Sequence, residues 1–220
     1  KPPEYSLLIP VECGYGFRDG KLCPGYPQFA CPDACHNRTM TGRVNMLAEM
    51  MRGIAATANR HIPTTVIVSH PVEFNDTELP PARLPKPMDD ALQVLREQGV
   101  KVAHYIMTRL PPPLPCCTCC NSFKNITAMV DRALSTYPQD SIFYDNGPFE
   151  NTESLYLPLY QYARNWHGQE REVLFNSEWT TFEEIYLTNT SAVMMAYEGY
   201  GSTMEGTTIN PSKFDWTPFP

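Results

Sequence analysis

The sequence is short of positive charge. Its 220 residues hold 17 Lys and Arg against 24 Asp and Glu, a formal net charge of −7. That balance argues against the basic face a nucleic-acid partner requires. Long apolar runs are missing too: none approaches the ~18 residues that suggest a membrane-spanning helix. No glycine-rich phosphate loop follows any apolar run, since neither GxGxxG nor GxxxxGK with Ser or Thr occurs. No GxSxG elbow follows a strand-like run, which removes the serine-hydrolase reading. No HxH or HxxxH spacing offers zinc a ligand set, so neither a metal nor another cofactor is expected. There is no polar linker and no fixed-period repeat, so one domain is expected over residues 1–220. The chain opens at Lys1 without a charged-then-apolar leader, and the expectation is that any signal peptide has been removed or omitted.

Cysteine, by contrast, is plentiful. The eight fall in two groups, Cys13, Cys23, Cys31 and Cys35, then Cys116, Cys117, Cys119 and Cys120. Four N-x-S/T sequons accompany them, at Asn37, Asn75, Asn125 and Asn189, while Pro211 disqualifies Asn210. A CCTCC run alone would also suit soft metals. With the sequons it favours a secreted glycoprotein with disulfides. Eight cysteines allow about 105 complete pairings, so connectivity stays open.

Six short runs are apolar almost throughout, as strands buried on both faces should be: 5–11, 64–70, 100–108, 141–146, 172–177 and 192–199. Helical pattern lies between them. Residues 44–58 have helical composition, and 89–99 has an acidic start, Leu92 and Leu95, and Gly99 as a stop. In 125–135, Ile126, Met129, Val130, Ala133 and Leu134 form one stripe. Residues 153–166 are helix-like, with Pro158 weakening the first part, and Thr180 and Glu183 make a capping box before Ile185. Strand alternating with helix predicts parallel pairing and right-handed crossovers. Without a phosphate loop, six βα units point to a (β/α)8-type, TIM-like barrel rather than an open nucleotide-binding sheet.

In such a barrel the chemistry gathers where the strands end. The second run ends in Ser69-His70, and the third offers His104, Tyr105 and Thr108. The fourth ends in Asp145-Asn146, the fifth in Asn176 and the sixth in Tyr197-Glu198. A lone strand-terminal Asp or Asn ordinarily caps the next turn. Five strands with polar ends argue for a site. Glycosidic hydrolysis needs two carboxyl groups, one protonated for the leaving oxygen and one ionised as nucleophile or base. Asp145 and Glu198 are the catalytic candidates, on strands separated by one other; retention or inversion stays open. His70, Tyr105, Thr108, Asn146, Asn176 and Tyr197 are the candidate substrate-binding residues, with Tyr144 a further aromatic surface for a sugar. His70 and His104 are expected as hydrogen-bonding residues of that pocket.

The ordered succession PTTVIVSHP, LREQGVKVAHYIMT, IFYDN, VLFNS and MAYEG resembles the spherulin-4 (spherulation-specific family 4) domain, over about residues 60–200. The resemblance implies a (β/α)8-type barrel and, from the glycoside hydrolases of that family, action on galactosamine-type polysaccharides. The family's FFDE aspartate falls on Asp145 and its later strand-ending Glu on Glu198. The family's following Glu is here Asn146, its strand-end Asn is His70, and its NPG is Asn176-Ser177-Glu178.

Two expectations follow. One is a secreted, glycan-directed hydrolase using Asp145 and Glu198. The other is a non-catalytic extracellular structural or assembly glycoprotein built on the same barrel. Six βα units leave the barrel incomplete, to be finished by sequence beyond Pro220, or covered at its open edge by residues 205–220 together with a partner or second copy. The cysteine segments 13–35 and 116–120 are expected to form a disulfide-stiffened rim over the pocket.

Overall fold

The computed structural model describes residues 7–11, 17–18, 21–22, 40–58, 62–69, 83–108, 123–145, 152–175 and 193–194. Its elements follow the predicted alternation. Strand β1 spans Leu7–Val11, and a short ribbon, β2 (Phe17–Arg18) and β3 (Lys21–Leu22), precedes helix α1 (Met40–Thr57). Then come β4 (Thr64–Val68), α2 (Lys86–Glu97), β5 (Lys101–Met107), α3 (Phe123–Thr136) and β6 (Ser141–Asp145). Helix α4 (Thr152–Arg164), a 3-10 turn at Trp166–Gly168, β7 (Val173–Phe175) and β8 (Val193–Met194) complete the order.

One sheet holds six of these strands in the order β1-β4-β5-β6-β7-β8, and every pairing in it is parallel. Each strand therefore lies beside the next one in the chain. Register fixes which residues share a face. Val66 pairs Val102, Ile106 pairs Tyr144 and Tyr144 pairs Phe175, so these side chains stand on one side of the sheet. Val66 and Val102 pack with α1 and α2, and Ile106, Tyr144 and Phe175 with α3 and α4. The four helices among the described residues thus cover one face. The alternate residues, Leu8, Ile67, Ala103, Tyr105, Phe143 and Leu174, form a separate apolar cluster on the other. Consecutive order with helices on one side gives a curled half-barrel of parallel strands, with the short β8 at its edge. A doubly wound sheet would reverse its strand order and carry helices on both faces.

The sequence explains why the helices dock where they do. Ile126, Met129, Val130, Ala133 and Leu134 are all buried, which is the stripe read from their spacing. Full burial of each such Ile, Val, Leu or Met side chain is worth ~1.5–3 kcal/mol relative to exposure. In α2, Met88, Ala91, Leu92 and Leu95 do the same work. That helix stops at Gly99, whose φ of 79° is left-handed. There the Val100 amide donates to the Leu95 carbonyl at 3.1 Å and the Gly99 amide to the Arg96 carbonyl at 2.9 Å, a Schellman closure. Pro158 does not interrupt α4, which runs through it from Thr152 to Arg164. The β2–β3 ribbon was not expected. Its signal is the Asp19-Gly20 pair between two short strands, a favoured hairpin connection.

Candidate functional site

Strand β6 ends at Asp145, which pairs in register with Met107 of β5. Two-residue alternation puts Asp145 on the same side as Phe143, opposite the helices. Tyr105, directly across from Phe143, lies with its ring 6.0 Å from that ring and inclined by 32°. From there it reaches diagonally, and its hydroxyl donates to Asp145 Oδ2 at 2.5 Å. Thr108 stands just past the end of β5. Its amide and its hydroxyl both donate to the Asp145 carbonyl, at 2.9 and 2.7 Å. Three of the predicted site residues are therefore brought together at the C-terminal ends of two adjacent strands. Asp145 and Tyr105 are partly buried, and Thr108 is fully enclosed. The main-chain ladder also carries on past the end of β4, where the Ser69 amide donates to the Val11 carbonyl at 3.3 Å.

His70, Asn146, Asn176, Tyr197 and Glu198 lie outside the described residues, as do all eight cysteines, Asn37, Asn75, Asn189 and the Thr180–Glu183 capping pair. Asn125 is described: it is exposed in the first turn of α3. Two aromatic and imidazole expectations are corrected. Tyr144 is fully buried on the helix side, and its hydroxyl donates to the Leu159 carbonyl at 3.1 Å. His104 also faces the helices, because it follows Ala103 and precedes Tyr105 on an alternating strand. It is 1% exposed and bonds Asp140, not a pocket at the strand ends.

That bond belongs to a second cluster at the opposite end of the sheet, which the sequence reading missed. Asp140 immediately precedes β6. Its Oδ2 accepts from Arg96 Nη2 at 2.5 Å and lies 2.9 Å from His104 Nε2, while Arg96 Nε donates to Oδ1 at 3.2 Å. The Tyr137 ring stacks on His104 at 4.9 Å, with the Arg96 guanidinium 5.4 Å from the same ring. Tyr137 in turn accepts from the Leu84 amide and donates to Asp89 Oδ1, each at 2.9 Å. Burial above all pushes the Tyr137 phenol up to about 12; the Leu84 amide opposes the rise and Asp89 adds to it. Arg171 donates to the Asp140 carbonyl at 3.2 Å, and burial lowers its guanidinium from the usual value. A shallow cavity of about 420 Å³ opens at this end, lined in part by Thr64, Arg96, Gly99 and Val100. It sits at the strand starts, away from Asp145.

Among the described residues, no group of three or more His, Cys, Asp or Glu is arranged to hold a metal ion. Among them, too, no helix is long and apolar enough to cross a membrane. No family model, no curated protein and no solved structure matches the chain.

Proposed function

We propose that the chain is a secreted, glycan-directed protein that hydrolyses glycosidic bonds with Asp145 and Glu198 as its carboxyl pair. The observation that carries this reading is the 2.5 Å hydrogen bond from Tyr105 to Asp145, formed where two neighbouring parallel strands end. A phenol donating to one carboxylate oxygen fixes the direction of that group, and this reading gives Asp145 the nucleophile or base role. Glu198 would then be the protonated member that assists the leaving oxygen. The resemblance to spherulin-4 domains supports a galactosamine-type polysaccharide as substrate, with His70, Asn146, Asn176 and Tyr197 lining the subsite. Consecutive parallel strands with helices on one face support a barrel, one domain over residues 1–220, closed by further sequence or covered by a partner. The two cysteine groups come after β1 and after β5 in the chain, an order that supports a disulfide rim over the site. The exposed sequon at Asn125 supports glycosylation.

The test is sugar release from galactosamine-containing and related polysaccharides by the wild type, Asp145→Asn and Glu198→Gln. Release by the wild type that is lost in both variants is the expected result. Release that neither change affects removes the site assignment.

One observation favours a second reading, binding without turnover. Asn146 stands where the family pattern has a second acid, and an amide cannot exchange a proton as a carboxyl does. Retention of these polysaccharides without release of sugar, weakened by Asp145→Asn, would establish that reading instead. Neither binding nor release across the panel would leave the structural or assembly role.

A further inference from the structure

We propose that Thr108 is a positioning residue for the Asp145 carboxylate, acting through the main chain rather than by touching a glycan. The last register pair of β5 and β6 is Met107 with Asp145, and β6 ends there. One residue further along β5, Thr108 places two donors on the single carbonyl of Asp145, its amide at 2.9 Å and its hydroxyl at 2.7 Å. The amide alone would suffice to continue the ladder. The added hydroxyl fixes the direction of that carbonyl at the last residue of β6. Three residues earlier on β5, Tyr105 holds the Asp145 side chain. One strand thus grips both ends of one residue, its carbonyl and its carboxylate. Thr108 is fully enclosed, so the direct contact with substrate expected from its strand-end position gives way to a role behind the carboxylate.

The residue type fits this role. Valine has the same shape without the donor, and serine keeps the donor without the branch. Small displacements of a reacting group carry large kinetic penalties, since ~1 Å of misplacement can cost about a hundredfold.

The hydroxyl's effect is read first on Tyr105, by NMR of its labelled phenol carbon in the wild type, Thr108→Val, Thr108→Ser and Asp145→Asn. Thr108→Val is expected to move the Tyr105 signal toward its position in Asp145→Asn, and Thr108→Ser to leave it near wild type. A Tyr105 signal unmoved by Thr108→Val overturns the proposal. Should the valine variant not fold, the wild-type Thr108 hydroxyl proton decides: slow exchange with water is expected, and complete averaging with water overturns it. The kinetic consequence rests on the hydrolase reading above. There, Thr108→Val should lower kcat about tenfold or more with KM nearly unchanged. If the wild type releases no sugar, that reading fails, while the Tyr105 signal still tests Thr108.

Discussion

Two aspartates five positions apart, Asp140 and Asp145, bracket β6, and β5 contributes a ring to each. Asp140 lies against His104 and is bridged by the Arg96 guanidinium, with a side chain only 3% exposed. Its charge is matched at close range, and the whole cluster is stacked under Tyr137. Asp145 receives a neutral phenol, which orients its carboxylate without cancelling charge. It is also partly exposed, at the end of the sheet where barrels keep their chemistry. The same residue type therefore serves two ends of one strand differently. A guanidinium at one end ties elements together; a hydroxyl at the other aims a group.

That contrast can be broken in order of effect. On the proposed hydrolase reading, Asp145→Asn should lower sugar release by about 10²–10⁴-fold, the usual range for losing an acid–base group, while the urea midpoint moves little. A large loss of stability with activity per folded molecule intact would reverse the assignment of the two ends. Asp140→Ala strands Arg96, and removing one partner of a buried pair costs ~3–5 kcal/mol. Chemical unfolding should register that loss, with catalysis by the remaining folded protein unchanged. Tyr105→Phe removes one charge-assisted hydrogen bond, worth ~1.5–3 kcal/mol. Its effect should appear in kcat, with a loss of folding stability no larger than that.

The smallest change concerns alkaline pH. The folded Tyr137 phenol titrates at about 12, above its ordinary value of 10.0, so the unfolded chain loses that proton first. Its contribution is fully present below pH 10 and is lost as pH rises toward 12. Tyr137→Phe should therefore show a shallower decline of stability across that interval. An unchanged slope in unfolding titrations would mean that Tyr137 ionises alike in both states.

Much of the sheet was legible because strands buried on two faces read as unbroken apolar runs. The α3 stripe was legible for a related reason, since spacing along a helix decides which side chains meet the sheet. Asp145 and Tyr105 were found as strand-end residues, yet their hydrogen bond was not foreseen. It depends on the diagonal between Met107–Asp145 and Tyr105–Phe143, a register that neither strand specifies alone. His104 was misassigned although the signal was present: two-residue alternation already separates it from Tyr105. The Asp140 cluster had no comparable signal. Arg96 and His104 lie 44 and 36 residues from Asp140 in the chain, and they meet it only through the packing of α2 against β5 and the pairing of β5 with β6.

Local sequence sets the alternation of strand and helix, the buried stripe of α3, the burial of Leu92 and Leu95 in α2, and where α2 stops. Those features follow from local periodicity and from the backbone that Gly99 permits. Tertiary structure alone decided that the helices share one face and that Tyr105 holds Asp145. It also decided that the carboxylate beside Arg96 belongs to the framework. Each of these is set by pairing between segments far apart in the chain, where register and packing choose among contacts that the separate segments leave open.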